Sequence, residues 1–333
     1  MSDEKELLNI NNLRTDFSTR NGPVRVLDNV SFSVKRGKII GLVGESGSGK
    51  SMTALSLMGL VPSPPGTVSA DSIMFGDKDL SKLTPRDMRK IRGQEIAMVF
   101  QEPMTSLNPV RTMVQQVGEP LSIQTNLSKK AIRQKVLEMF ELVGIPEPAA
   151  RLDAYPHELS GGLRQRAAIA MGLICEPKLL IADEPTTALD VTTQAQILRL
   201  MVSLRDRIGT AILMITHDLG IIAEMCDEVN VMYAGQVVEQ ANVFDLFDRP
   251  SHPYTRGLLA SIPKATEKRT GDRLSSIKGV VPNLAQLPTG CRFSPRCGDV
   301  MPICMQKAPE LTDLGNGHTA RCWLHDKKEV HHA

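Results

Sequence analysis

Apolar and polar positions along the chain fall into blocks whose period changes, and the changes predict an alternation of strands and helices. Residues 5–35 alternate in character and read as short strands, with Asn21-Gly22-Pro23 as the turn between them. The unbroken apolar run Ile39-Ile-Gly-Leu-Val43 predicts a strand, and Met52-Thr-Ala-Leu-Ser-Leu-Met58 beyond it is compatible with a helix. Between 62 and 95 the residues Pro62, Pro64, Pro65 and Gly66 mark turns, with only small strand signals. Helical periodicity returns over 110–145, most clearly at 131–143, and Gly144 and Pro146 stop it. Leu179-Leu-Ile-Ala-Asp183 and Ala211-Ile-Leu-Met-Ile215 are apolar, β-compatible runs of the type buried in parallel sheets. Strands alternating with helices predict an α/β fold, with a helical subdomain at about 103–160. After Pro263 the chain becomes charged, Pro-rich and Cys-rich, which predicts a main domain over 1–265 and a separate extension over 266–333.

Composition narrows the function classes. At 333 residues the chain buries one large core plus an appendage, and 41% hydrophobic with 23% charged residues is ordinary for a globular protein. A net charge of +2 gives no long-range field that argues for nucleic acid. Twelve aromatic residues (Trp 1, Tyr 3, Phe 8) are too few for a base-stacking platform. The start Met-Ser-Asp-Glu-Lys-Glu lacks the basic and apolar regions of a signal peptide. No apolar run approaches the roughly 18 residues of a membrane span. The expectation is a cytosolic chain that works at a membrane only through partners.

Candidate chemistry begins at Gly44-Glu45-Ser46-Gly47-Ser48-Gly49-Lys50-Ser51, which matches G-x-x-x-x-G-K-[ST]. The motif lies between a predicted strand and a predicted helix, the context a phosphate-binding loop requires. Glycines let backbone N–H groups close around phosphate oxygens at the positive end of the helix. Lys50 would reach the β- and γ-phosphates of ATP, and Ser51 would offer its hydroxyl to Mg²⁺. A structural glycine turn is the competing reading of the motif alone. Asp183, at the end of an apolar strand, is placed to hold Mg²⁺ through water, and the next residue, Glu184, is the candidate general base.

With Leu159-Ser160-Gly161-Gly162-Leu163-Arg164-Gln165-Arg166 added, the chain resembles the ATPase subunits of ABC transporters. More narrowly, it resembles those of the bacterial dipeptide and oligopeptide importers. The order carries the resemblance: the phosphate loop, Gln101 after Ile96-Ala-Met-Val-Phe100, the 159–162 signature, Asp183-Glu184, Ala188-Leu189-Asp190, then His217. Phe100–Pro109 and His252-Pro-Tyr-Thr255 look like the peptide-importer branch, and the likeness covers essentially the whole chain.

The resemblance implies an ABC-type P-loop ATPase fold: a RecA-like core with an antiparallel β subdomain and a helical subdomain. It also implies a role for each motif. Gln101 would touch Mg²⁺ or water and link the site to the helical subdomain. His217 would contact the γ-phosphate and position water. Ser160, Gly161 and Gly162 would face the ATP of a second subunit, and Asp190 would connect the two sites. Leu163 departs from the family, where many relatives have Gln, with little loss expected because Ser160 and backbone N–H groups make the contacts. Relatives stack an aromatic on adenine from a loop before the phosphate loop. Here Asn21 or Val24 falls near that slot, and Phe17 substitutes only if the hairpin is longer; it is equally a core residue.

The implied function is ATP-driven import of dipeptides or oligopeptides. The implied partners are a second homologous ATPase subunit, two transmembrane permease subunits and, through the complex, an extracytoplasmic peptide-binding protein, with no nucleic acid. The implied location is the cytoplasmic face of the inner membrane, peripherally. Nickel or another cargo of the same branch is the alternative, and a soluble ABC-type ATPase acting on DNA or ribosomes is a more distant one.

Six cysteines remain. Cys175 and Cys226 lie in apolar helical surroundings and read as buried thiols. Cys291, Cys297, Cys304 and Cys322 are spaced C-x5-C-x6-C-x17-C. Disulfides are rare in cytosolic proteins, so four thiolates this close suggest a metal site. Zinc sites use closer pairs, whereas an iron–sulfur cluster has separated corners and tolerates wider spacing. This spacing and Gly290-Cys-Arg-Phe-Ser-Pro-Arg-Cys297 resemble peptide-importer subunits with a [4Fe-4S] cluster. Zn²⁺ and free thiols stay open as alternatives.

Overall fold

A computed structural model describes residues 6–101, 107–187, 189–262 and 277–326. The chain forms two compact units, one mainly Phe75–Ile215 and the other mainly Asn9–Ser33, Ile40–Met74 and the residues from Thr216 onward.

The first unit is built on three parallel strands, Ile96–Val99, Leu179–Asp183 and Ala211–Thr216. Their registers run from Ile96 opposite Leu179 and from Leu179 opposite Ala211. Every residue of the last two strands is buried, as the unbroken apolar runs require. The helix Gly161–Leu173 packs on this sheet through Gly172, where a Cβ would meet Leu180 Cδ1 and Val99 Cγ2 at 3.3 Å.

Helices Met113–Val117, Glu119–Gln124 and Lys129–Leu142 supply the expected helical stretch. The last is capped by Ser128, which accepts the Ala131 N–H, and it buries Val136, Met139 and Phe140 on one face. Gly144, at φ +70°, ends it, and Arg166 Nη1 donates to the Val143 carbonyl. Pro85–Ile91 carries the signals of a helix start, Thr84 accepting the Asp87 N–H and Pro85 at the first position, inside a stretch read as turns.

The second unit holds the hairpin strands Glu6–Thr19 and Gly22–Lys35, far longer than the short strands expected. Asn12 and Asn29, one in each, sit at φ +52° and +53°. These left-handed residues interrupt the alternation, so each strand reads in sequence as two pieces. Gly66–Ser69 pairs antiparallel with the first strand, Phe17 opposite Gly66.

A second sheet of this unit places Ile39–Val43 parallel to Glu228–Tyr233. Gln236–Asn242 follows antiparallel, and then comes the hairpin His318–Ala320 with Thr312–Gly315. That hairpin is anchored by Glu239, which is wholly buried. Its carboxylate accepts from Ser251 N–H at 2.6 Å and His252 N–H at 2.9 Å, and it bonds His318 Nε2 at 2.8 Å. The expected boundary at 265/266 lies outside the described residues. Among the described residues, no helix is long and apolar enough to cross a membrane.

Candidate functional site

In the second unit, the loop after Ile39–Val43 has the backbone a phosphate cradle needs. Gly47 and Gly49 adopt φ +78° and +106°, where a side chain is strained. A Cβ on Gly44 would fall 2.2 Å from the Met232 carbonyl oxygen, so only glycine fits there. Gly235 N–H donates to the Ser48 carbonyl at 2.8 Å, and Glu45 N–H donates to Tyr254 Oη at 2.9 Å. The helix Lys50–Leu57 starts directly on the loop, with Gly49 as its N-cap. Lys50 is buried, and its ammonium donates to the carbonyls of Gly44 at 2.7 Å and Glu45 at 3.1 Å. A cation thus curls over a ring of glycines at the N-terminus of a helix, which suits phosphate. Ser48 Oγ is buried and has no hydrogen-bond partner among the described residues.

His217, also in this unit, is exposed immediately after the strand Ala211–Thr216 and before Asp218, the N-cap of Leu219–Met225. Phe17 is half-buried, its ring edge 3.2 Å from where a Cβ on Gly66 would stand.

The first unit gathers the other motifs. Asp183 is buried at the end of its strand. The chain then turns: Glu184 takes φ +45°, a left-handed conformation strained for a side chain, while its N–H holds the Ile215 carbonyl at 2.9 Å. One Glu184 oxygen, Oε2, accepts from Gln101 Nε2 at 3.2 Å and from Thr187 Oγ1 at 3.0 Å. Gln101 and Glu184, 83 residues apart, therefore meet.

Ser160 caps Gly161–Leu173, its side chain accepting the Leu163 N–H at 3.4 Å. Leu163 takes part through its backbone alone, so its departure from the relatives' Gln leaves the cap in place. Asp190 caps the helix Val191–Ile208, accepting from Thr193 N–H at 2.9 Å and Thr193 Oγ1 at 2.7 Å. Those two donors, the backbone one first, hold its carboxyl below the usual range. Thr193 Cγ2 stands 2.8 Å from where a Cβ on Gly162 would lie, so the two capped loops adjoin. Ala188 and residues 102–106 of the Phe100–Pro109 stretch lie outside the described residues.

Among the described residues, no group of three or more His, Cys, Asp or Glu side chains is arranged to hold a metal ion. Cys291, Cys297, Cys304 and Cys322 do line one small cavity together with Phe293 and Trp323. Burial pushes the thiols of Cys291 and Cys297 up and that of Cys322 up to about 11. Cys226 is buried as expected, and Cys175 is half-buried.

Several residues that build the site were missed in the sequence: Tyr254, Met232, Gly235 and two arginines of the 290–297 segment. Tyr254 and the two arginines stand in stretches noted for their likeness to the peptide-importer branch, but no local signal ties any of these residues to the phosphate loop, about 180 to 250 positions away.

Comparison with known proteins agrees with this geometry. A family profile described as ABC transporter matches residues 27–187, and one described as oligopeptide/dipeptide transporter, C-terminal region, matches 238–304. The oligopeptide transport ATP-binding protein AppD of Bacillus subtilis is 52% identical over 97% of this chain and 98% of its own. The dipeptide transport ATP-binding protein DppD of Escherichia coli is 45% identical over 95% and 96%. Among solved structures, a dimeric post-hydrolysis state of the ATP-binding cassette MJ0796 bound to ADP and Pi superposes with a TM-score of 0.64. It is 26% identical and covers 71% of this chain and 98% of that one. The chain belongs to the ABC transporter family, as an ATP-binding subunit of its oligopeptide/dipeptide branch.

Proposed function

We propose that the chain hydrolyses ATP to power the import of dipeptides or oligopeptides through a membrane permease complex. The observation that carries this reading is the glycine cradle of Gly44–Ser51 under the Lys50 ammonium, in a chain similar over nearly its full length to peptide transport ATP-binding proteins. Gly44 through Ser51 would bind the phosphates, Lys50 leaving its carbonyl partners for β- and γ-oxygens. Ser51, Asp183 and Gln101 would hold Mg²⁺, which supplies charge neutralisation on the phosphates. Glu184 would take the proton of the attacking water, oriented by its bonds from Gln101 and Thr187. His217 would contact the γ-phosphate, and Phe17 would lie against adenine.

Ser160, Gly161, Gly162 and Asp190 would act across a pair of ATPase subunits, this chain and a second homologous one, with ATP clamped between them. Exposure of the Ser160–Gly161 cap supports that reading. The pair would work on two transmembrane permeases, with an extracytoplasmic binding protein delivering peptide, and would sit at the cytoplasmic face of the inner membrane. The domain division would be an ATPase domain over 1–265 and an extension over 266–333. Within the extension, Cys291, Cys297, Cys304 and Cys322 would take up a [4Fe-4S] cluster, or Zn²⁺ as the alternative. Their shared cavity supports this, since a cluster has separated corners.

The test is an affinity pull-down from detergent-solubilised membranes of the source. Two polytopic permeases and a second ATPase are expected, with a binding protein that takes up peptide. Recovery with ribosomes or DNA would refute the transport reading, and a binding protein specific for nickel would replace the cargo.

A further inference from the structure

The segment Cys291-Arg-Phe-Ser-Pro-Arg-Cys297 does more in the structure than present cysteines. Arg296 makes a two-pronged contact with the Glu45 carboxylate, Nη1 to Oε2 at 2.6 Å and Nη2 to Oε1 at 3.0 Å, across 251 positions of sequence. Its side chain is only 4% exposed. Its other contacts hold the guanidinium in place: Nε donates to the Lys278 carbonyl at 3.0 Å, and the group lies 5.8 Å from the Tyr233 ring centroid. Glu45 is the second residue of the phosphate loop, and its own carbonyl is one of the two that receive Lys50.

Arg292 braces the loop from its other side. Its Nη1 donates to the Ala234 carbonyl and its Nη2 to Asp28 Oδ2, both at 2.5 Å. Ala234 sits at φ +44° and Gly235 at φ +82°, a tight turn whose Gly235 N–H holds the Ser48 carbonyl. Between the two arginines, Phe293 packs on Tyr233 and Tyr254, and the Tyr254 hydroxyl accepts the Glu45 N–H. One short segment thus fixes both ends of the loop: Glu45 through Arg296 and Tyr254, Ser48 through Arg292 and the 234–235 turn.

We propose that Arg296 and Arg292 are positioning residues for ATP, setting the phosphate-binding loop from the C-terminal extension. Arg296 has an electrostatic task besides a geometric one. Glu45 places a carboxylate in a loop that must accept a polyanion, and a guanidinium paired to both its oxygens cancels that charge while keeping the loop shape. This rests on the reading that the loop binds ATP.

The test is a cycle of Arg296→Gln, Glu45→Gln and the double variant in the full chain. Affinity is read by titration with a fluorescent ATP analogue in the presence of Mg²⁺, and thermal melting is followed in parallel. Arg296→Gln strands the Glu45 charge and is expected to weaken binding about tenfold, the size of one charge-assisted hydrogen bond. Glu45→Gln added to it removes the stranded charge and is expected to recover most of that loss. Arg296→Lys, which keeps the charge without the fork, is expected to fall between and keeps the test open if Arg296→Gln does not fold. A double variant no better than Arg296→Gln would reduce Arg296 to a structural pin and overturn the proposal. So would wild-type affinity in both Arg296 variants, with the ATP reading intact. A wild-type chain that binds no ATP would refute that reading itself and this inference with it.

Discussion

Replacing Glu184 by glutamine tests the general base with the least disturbance to its surroundings. Gln101 Nε2 and Thr187 Oγ1 both donate to the same oxygen, Oε2, at 3.2 and 3.0 Å. The carbonyl oxygen of a glutamine in the same rotamer accepts both, so neither donor is orphaned and the turn at φ +45° is unchanged. What disappears is the ability to take a proton from water. A positioned base contributes roughly 10²–10⁴-fold, or about 3–5 kcal/mol of barrier. The assay is phosphate release from Mg–ATP by the assembled complex, with size-exclusion of the ATP-loaded chain beside it. Glu184→Gln is expected to bind ATP as the wild type does, to turn over at least about a hundredfold more slowly, and to accumulate as a closed, ATP-bound dimer. A wild-type rate would refute Glu184 as the base. A variant that melts lower and loses ATP would refute the claim that the amide satisfies both donors.

Further expectations follow from the same geometry. Gly44→Ala drives a Cβ to within 2.2 Å of a backbone carbonyl that cannot rotate away. Overpacking of this kind costs about 1–3 kcal/mol, so a lowered melting temperature and lost ATP binding are expected, and an unperturbed variant would contradict the loop geometry. His252 is wholly buried and accepts the Tyr254 N–H through Nδ1; burial pushes its pKa down to about 3. Its unfolded value is about 6.5, so its contribution to stability is complete above that pH and is lost as pH falls toward about 3, because only the unfolded chain takes up the proton. His252→Asn keeps an acceptor for the cap and should flatten the decline of melting temperature from about pH 7 to 5; an unchanged slope would assign that decline to other groups. Anaerobic purification should yield a brown chain with about four irons, and a colourless, iron-free chain after supply of iron and sulfide would end the cluster reading.

Much of the site was legible in sequence because its hydrogen bonds close within a few residues. Gly47 and Gly49 announce positive φ, Ser160 and Asp190 cap the helices that start right after them, and Lys50 returns to carbonyls five and six positions away. The fully apolar strands 179–183 and 211–216 announced their own burial. Legibility failed where a local rule was broken or carried too little signal. Asn12 and Asn29 interrupt two long strands without ending them, and seven residues of helix at Pro85–Ile91 are too few to show a period. The spacing of Cys291, Cys297, Cys304 and Cys322 does not itself report that the four line one cavity, which packing decides.

The sequence by itself therefore determined the phosphate loop, the alternation of strands and helices, and the order of motifs, since strand burial, glycine conformation and helix capping depend on neighbours in the chain. Tertiary structure alone decided what braces that loop: Tyr254 under Glu45, Arg296 on its carboxylate, Arg292 on the turn behind Ser48, and Glu239 holding the hairpin that carries His318. Those pairings join residues separated by tens to hundreds of positions. Each arginine or glutamate reads in sequence as one more exposed charge, and only the packing of Phe293, Tyr233 and Tyr254 buries the partners together and makes the charges specific.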